Sequence, residues 1–377
     1  MNIALLGVFP PFRGGIQHFN TLLYHHLKTD HDVSVINFLH QYPNVLFPGT
    51  SQFDSAAPSD PAFRERLLDP INPVTWLKVA QRLKYLGPDL VIFKYWMPYF
   101  APSLGTVMRR LRANTTARSL CIIDNLMPHE RRVGDRSLNR YLVANTDLFI
   151  CMSETVETEL LELKPAAVYR RKSHPLYDNF GARLDKETAR RRLGLGDEPL
   201  LLYFGYIRKY KGVLTLLDAM PMIVQQLGAK CIIAGEFYDD REPYLAKIDT
   251  LDLEPHLILA DRFIPDDEVN LYFSAADVVV LPYLSATQSG IVSIALNYEL
   301  PCIVTAVGGL PEIIHHQETG LLVPPDNPQA LAEAVVSYFK EADQTAMARF
   351  ISREKQRYSW EAFTETIIDL ATAPPHG

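Results

Sequence analysis

Residues 282–323 read PYLSATQSGIVSIALNYELPCIVTAVGGLPEIIHHQETGLLV, and this stretch decides the fold. It holds three strand-like runs, a short helix opened by Thr287-Gln288-Ser289-Gly290, and a second glycine turn at Gly308-Gly309. A glycine turn at a helix start lets backbone N–H groups point outward, and the helix dipole adds positive potential there. Phosphate binds at such a place. Two such turns within about 20 residues point to a cleft for a nucleotide diphosphate.

Outward from this stretch the chain alternates strand and helix. Strand-like runs in the first half are Ile3–Val8, Val33–Asn37, Leu90–Lys94, Leu120–Asp124 and Leu148–Met152. In the second half they are Leu200–Gly205, Cys231–Ala234, Leu257–Leu259, Val278–Leu281 and Cys302–Thr305. They are short, rich in Val, Ile and Leu, and do not alternate, which is the pattern of strands buried on both faces of a parallel sheet. Between them lie amphipathic patterns. Ile16, Phe19, Leu23 and Leu27 share a face, as do Leu331, Val335 and Phe339 behind an Asn327 cap and Pro328 at the first helical position. Each half opens with strand, glycine-bearing loop and helix: IALLGV, PPFRGG and a helix from Ile16, then LLLYFG, YIRKYKG and a helix from Val213. The expected class is α/β, with two doubly wound Rossmann-like domains. Their spans are 1–180 and 199–356, with a boundary between Tyr177 and Pro199. A last helix within 357–377 carries Trp360, Phe363, Ile367 and Leu370 on one face. The charged run Lys186–Arg192 reads as a surface helix. The Pro-, Ser- and Asp-rich segment Leu39–Asp69 is long for a plain connection.

Bulk properties bound the function. At 377 residues the chain exceeds one ordinary core. It is 47% hydrophobic and 21% charged, as globular proteins are, and its net charge of −7 gives no case for nucleic acid. Charge is uneven: from Arg109 to Arg140 eight arginines stand against three acids. That excess fits either phosphates and an anionic membrane surface or a solvated helix face. Cys121, Cys151, Cys231 and Cys302 sit in separate apolar runs without zinc spacing, so reduced buried thiols and a cytoplasmic setting are expected. The apolar run Ile3–Phe9 stops at Pro10-Pro11 and reads as a strand, not a signal peptide; no run approaches a membrane span.

The segment Gly205-Tyr206-Ile207-Arg208-Lys209-Tyr210-Lys211-Gly212 follows a strand and precedes a helix, where ligands meet a parallel sheet. Fixed cations there stabilise the charge a departing diphosphate gains. Arg208 and Lys211 are the diphosphate candidates; Lys209 is expected to face solvent. The alternative is a charged, solvated turn. Asp266-Asp267-Glu268 reads as acid bias at a helix start. His315-His316 reads as a surface turn, since adjacent histidines diverge and no third ligand stands nearby.

In order and spacing, these segments resemble the retaining GT-B glycosyltransferases of glycosyltransferase family 4 (glycosyl transferases group 1). The resemblance covers nearly the whole chain and is strongest from Leu200 to Pro325. It implies two domains facing across a cleft, the first binding the acceptor and the second a nucleotide sugar, with the last helix crossing back. It implies transfer of a sugar from a nucleotide-diphosphate donor to a hydroxyl acceptor with retention, and no metal or other cofactor. Apart from the resemblance, the thiols lead to the expectation of a cytoplasmic setting, and the Arg109–Arg140 excess to that of peripheral contact at the inner face of the membrane. Residue by residue, Lys211-Gly212 falls in the family's place, while Tyr206 stands where the family puts an arginine, and Arg208 follows two residues later. Gly14 and Gly15 match the family's N-terminal glycine loop, or serve only a tight helix–strand turn. Asp124 stands at the strand end where members often carry a histidine, and His129 follows five residues on; either is a candidate for sugar contact or proton transfer. Gly205 and Gly235, with Phe263 and Ile264, resemble parts that frame the nucleotide. The paired glutamates of the family, eight positions apart, are missing: Ala286 and Ile294 occupy their places. Thr287, Gln288, Ser289, Gly290 and Ile291 then remain as hydroxyl, amide and backbone donors, with Ser289 also a plain helix cap.

Three other functions fit parts of the pattern. A nicotinamide oxidoreductase is disfavoured because no G-x-G-x-x-G follows the first strand and no acid ends the second. A non-catalytic partner that keeps the fold is motivated by Ala286 and Ile294. A sugar-nucleotide epimerase of the same fold is distinguished by its product.

Overall fold

The computed structural model describes residues 1–42, 52–53, 60–127 and 132–374. The chain divides into two compact units, Met1–His174 with Ser359–Gly377, and Pro175–Tyr358.

The first unit is a parallel sheet of seven strands: β1 (Asn2–Gly7), β2 (Asp32–Phe38), β3 (Arg66–Leu68), β4 (Leu90–Tyr95), β5 (Arg118–Ile123), β6 (Leu148–Cys151) and β7 (Val168–Arg171). Their order is β3-β2-β1-β4-β5-β6-β7. Its helices are α1 (Gly15–Lys28), α2 (Pro73–Leu86), α3 (Ala101–Asn114), α4 (Asp135–Ala144) and α5 (Glu154–Leu163). The second unit has six parallel strands: β8 (Leu200–Phe204), β9 (Lys230–Ala234), β10 (Leu257–Ala260), β11 (Val278–Leu281), β12 (Cys302–Thr305) and β13 (Gly320–Val323), ordered β10-β9-β8-β11-β12-β13. Its helices are α6 (Lys186–Arg192), α7 (Val213–Leu227), α8 (Glu242–Thr250), α9 (Asp266–Ala275), α10 (Gly290–Asn297), α11 (Leu310–Ile313), α12 (Pro328–Lys340) and α13 (Gln344–Glu354). The last helix, α14 (Trp360–Thr372), belongs to the first unit.

Both sheets are doubly wound. In each, the chain lays strands outward in one direction, returns to the middle, and continues in the other. The reversal falls between β1 and β4 in the first unit and between β8 and β11 in the second. Loops leaving the carboxyl ends of those pairs part to opposite faces, which opens a crevice suited to ligands. All ten strand-like runs read from the sequence are strands. The three additional strands, β3, β7 and β13, lie at sheet edges. The stretch 282–323 folds as two strands and two short helices, not as three strand-like runs with one helix.

Local chemistry explains the elements. Asn327 caps α12 by accepting from the Ala330 N–H at 3.0 Å, with Pro328 at its start. Tyr338, not Phe339, takes the buried place on that helix. The acids Asp266, Asp267 and Glu268 occupy the first turn of α9. α14 buries Trp360, Phe363, Ile367 and Leu370, and Phe19 of α1 meets Trp360 and Phe363 at ring distances of 5.0 and 5.6 Å.

The stretch 177–199, expected to hold the domain boundary, is folded into the second unit. Arg190 of α6 is buried, bonds the Ala275 and Gly196 carbonyls at 3.0 Å each, and pairs with Asp277 at 2.8 Å. The run Lys186–Arg192 is thus not a purely solvated helix: one of its arginines anchors it to α9 and β11. The four cysteines are buried free thiols; burial pushes Cys151 and Cys231 each up to about 12.

Candidate functional site

In the second unit the loops after β8 and β11 meet at the winding reversal. The β8 loop makes a single 3₁₀ turn, Lys209–Lys211, and ends at Gly212 with φ 68°. A Cβ on Gly212 would fall 1.8 Å from the Pro282 carbonyl oxygen, so only glycine lets these two loops touch. On the other side of the β11 loop, a Cβ on Gly308 (φ 51°) would fall 1.5 Å from the Ala286 oxygen. Two glycines from different loops therefore clamp the backbone from Pro282 to Ala286. The Gly309 N–H donates to the Thr287 carbonyl at 3.1 Å, which extends the clamp.

This packing converges on Lys211. A Cβ placed on Gly205 (φ 110°) would lie 3.4 Å from Lys211 Nζ and 3.5 Å from Ile291 Cδ1. Gly205 and Lys211 of one loop thus neighbour Ile291, 80 or more residues on. The Lys211 ammonium also lies 5.3 Å from the Tyr283 ring, within cation–π range. The residue as a whole retains some exposed surface, but its charged end sits deep among protein atoms. Burial, and then the Arg208 charge, bring its pKa down to about 8. The Arg208 guanidinium lies 5.2 Å over Tyr238, whose ring meets Tyr206 at 4.2 Å, tilted by 30°. Among the described residues, neither Arg208 nor Lys211 forms an ion pair with an acid. Lys209 is exposed, as expected.

At the start of α10, Ser289 is buried and occupies the cap position without making a side-chain cap bond; its hydroxyl lies 3.4 Å from the Tyr283 hydroxyl. The simple cap reading of Ser289 is therefore replaced by a buried hydroxyl pair. Thr287, Gln288 and Gly290 flank it, each half-buried. Ala286 and Ile294 are 7% and 4% exposed, so the two positions lacking carboxylates are closed into the core. Gly235 follows β9, with its N–H donating to the Ala260 carbonyl at 3.0 Å. Phe263 and Ile264 follow β10 at the sheet edge, two strands from β8, with Ile264 buried.

The corresponding edge of the first unit is built differently. Gly14 (φ 106°) and Gly15 open α1, and Asn37, wholly buried at the end of β2, holds the loop between them and β1. Its amide donates to the Pro10 carbonyl at 3.0 Å, and its oxygen accepts the Phe9 N–H at 3.1 Å. Asp124 is not an open carboxylate: Lys94, buried at the end of β4, meets it at 2.5 Å and stands 3.3 Å over the Phe19 ring. Burial lowers the pKa of Lys94 and Asp124 opposes that shift. Asp124, the candidate for sugar contact or proton transfer, is thus one half of a buried ion pair. His129 lies outside the described residues, as do residues 43–51 and 54–59 of the 39–69 loop. His316 Nδ1 accepts the Leu322 N–H at 3.1 Å, which makes the His315-His316 turn structural. No cluster of three or more potential metal ligands occurs among the described residues. Lys94, Asn37, Tyr238 and Tyr283 were missed from sequence. Each acts through a partner on another strand or loop, and no local pattern marks such partners.

Comparison with known proteins agrees with this geometry. Residues 198–341, most of the second unit, match the family described as "Glycosyl transferases group 1". An uncharacterized glycosyltransferase of Methanocaldococcus jannaschii is 30% identical over 49% of this chain and 48% of its own length. The D-inositol 3-phosphate glycosyltransferase of Corynebacterium urealyticum is 26% identical over 77% of this chain and 72% of its own. The chain thus spans about half the length of the first of these relatives and more of the second. Among solved structures, Anabaena HepE in complex with UDP superposes with a TM-score of 0.76 at 17% identity, covering 98% of this chain and 99% of that one. The same protein has also been solved with UDP-glucose. The fold is GT-B, and within its second unit the chain carries a domain that matches the glycosyl transferases of group 1.

Proposed function

We propose that this protein is a retaining glycosyltransferase of glycosyltransferase family 4, moving a sugar from a nucleotide-diphosphate donor to a hydroxyl acceptor. One observation carries the reading. Two cations, Arg208 and Lys211, stand at the winding reversal of the second sheet without an acid partner among the described residues, and one of them is desolvated enough to bring its pKa to about 8. A buried cation of this kind is costly unless an anion completes it. The donor diphosphate is that anion, and its growing charge on departure is what Arg208 and Lys211 stabilise. Gly205 and Gly235 admit the phosphates and the rest of the nucleotide closely, and Phe263 and Ile264 frame the base. Thr287, Gln288 and the N–H groups of Ser289, Gly290 and Ile291 hold the sugar and diphosphate at the start of α10.

The acceptor is assigned to the first unit, where the tight backbone of Gly14 and Gly15 lets donor phosphate and acceptor approach closely. Asp124, paired with Lys94 at the end of β5, contacts sugar hydroxyls or takes part in proton transfer there. His129 stays in the proposal as a sugar contact. No metal enters the mechanism, because the two cations take the part a metal would play at the diphosphate. The binding of UDP and UDP-glucose by HepE supports a uridine donor as the first to try.

A thermal-shift panel of UDP, GDP, ADP and their sugars tests the reading: a ligand at a hundred times its dissociation constant adds about 2.7 kcal/mol of stability. Turnover with the stabilising donor, followed by NMR of the product anomer, then tests retention. The burial of Ala286 and Ile294 favours one competitor, a non-catalytic partner of the same fold. Slow hydrolysis of the sugar nucleotide without acceptor, lost in Lys211→Ala, excludes that competitor.

A further inference from the structure

The outer face of α2 is unlike the rest of the surface. Val74, Leu77 and Tyr85 are 59%, 48% and 82% exposed, and Ile71, just before the helix, is 56% exposed. Three of the large apolar side chains open to solvent thus lie along one helix, with a fourth just before it. Val74, Leu77, Lys78, Gln81, Lys84 and Tyr85 recur at helical spacing and are all exposed, while Thr75, Val79, Ala80 and Leu83 face the core. Scattered exposed leucines need no explanation, but a stripe of this kind does.

Charge supplies the second observation. The sequence places its basic excess along residues 109–140, but the fold rearranges it. Arg118 turns away from the surface and donates to the Ala371 and Ala373 carbonyls at 2.7 and 3.1 Å. The cations of three neighbouring helices come together instead: α2 packs beside α3, and α3 beside α4. These helices carry Lys78, Arg82, Lys84, Arg109, Arg110, Arg112, Arg136 and Arg140 against a single acid, Asp135, which is buried. Eight cations less one acid give +7 on three helices of a chain whose net charge is −7, so the remainder carries −14. Among the described residues, Arg82 pairs with Glu65, Arg112 with Asp147 and Arg136 with Glu162, while Lys78, Lys84, Arg109, Arg110 and Arg140 make no ion pair.

We propose that this face seats the protein on an anionic phospholipid bilayer. Val74, Leu77 and Tyr85 enter the headgroup boundary, and the unpaired cations meet lipid phosphates. An apolar stripe edged by lysine suits an interface that is apolar below and anionic above. Among the described residues no helix is long and apolar enough to cross a membrane, so the contact is peripheral. The surface shares no residue with the proposed donor site, and the inference stands apart from the glycosyl-transfer reading.

The full chain is floated with vesicles of phosphatidylcholine alone and with vesicles that also contain phosphatidylglycerol. Binding is expected only to the anionic vesicles and is expected to weaken with salt. Lys78→Gln with Lys84→Gln should lower the partition coefficient about 25-fold, at about five-fold per cation. Val74→Ser with Leu77→Ser should lower it at both low and high salt. All four positions are exposed, so unchanged melting temperatures certify the fold. Equal binding to both vesicle types, or unaltered binding by both double variants, overturns the proposal. So does a concentration-dependent dimer that Leu77→Ser dissolves, which would give the stripe to a second copy of this chain.

Discussion

The two winding reversals of this molecule place a lysine at the same edge of the same kind of sheet and treat it in opposite ways. In the first unit Lys94 is enclosed, paired to Asp124 at 2.5 Å and covered by the Phe19 ring. In the second, Lys211 has Arg208 beside it and a tyrosine ring below, and no acid among the described residues. Nothing about the fold requires the difference, since both sheets are doubly wound and parallel. A charge completed from within contributes to stability, and a charge left incomplete invites a ligand. Reading the second lysine as functional follows from this contrast more than from its sequence neighbourhood.

The sharpest way to break the contrast is to remove each lysine and measure both stability and turnover. Lys94→Ala should cost about 3–5 kcal/mol of stability by removing the cation from the buried Asp124 carboxylate. Lys211→Ala should raise the ligand-free melting temperature at neutral pH by removing a desolvated charge, Arg208→Ala should leave it near its original value, and each should lower kcat by roughly 10²–10³, about 3–4 kcal/mol. Equal, mild effects on rate from Arg208, Lys209 and Lys211 variants would reduce the loop to a solvated charge cluster. Ile294→Glu addresses the closed position of the missing glutamate. It should destabilise the second unit by about 3–5 kcal/mol, as an unpaired buried charge does, without tightening nucleotide binding. Tighter binding at unchanged stability would show instead that this position still reaches the ligand.

Acidity gives a subtler test. Lys211 titrates near 8 when folded against its ordinary value of 10.5, so the unfolded chain holds that proton to higher pH. Its linked contribution to stability must therefore rise between pH 8 and 10.5, and Lys211→Met should abolish the rise. Donor affinity has the opposite slope, because only the protonated form attracts a diphosphate: binding should weaken as pH climbs through about 8. The smallest effect is expected at Gln288. Gln288→Ala should weaken sugar-nucleotide binding about five- to ten-fold, the worth of one hydrogen bond, and leave the bare nucleotide unaffected.

Much of this was legible in the sequence because buried parallel strands announce themselves. Every central strand carries a run of apolar residues. The strands that escaped notice in the first unit, Arg66–Leu68 and Val168–Arg171, are short and lie at the edges, where one neighbour is missing and polar residues are tolerated. Arg208 and Lys211 were legible because glycines bracket them between a strand and a helix. The Lys94–Asp124 pair was not. Its members lie 30 residues apart and meet only because β4 and β5 are adjacent, ending at Tyr95 and Ile123 in register. The pairs Arg208–Tyr238 and Lys211–Tyr283 were hidden for the same reason. Loop glycines can be seen from a string of letters, but the loops they press together cannot.

The membership of α14 in the first unit has a consequence for synthesis. The second unit is one continuous segment, Pro175–Tyr358, and can close as soon as it leaves the ribosome. The first unit cannot. Phe19, made at the outset, waits for Trp360 and Phe363, and at roughly 5–20 residues per second that delay lasts on the order of tens of seconds. The half that begins first therefore finishes last. Until α14 arrives, an apolar groove along α1, with the Lys94–Asp124 pair beneath it, stays open to water and to chaperones.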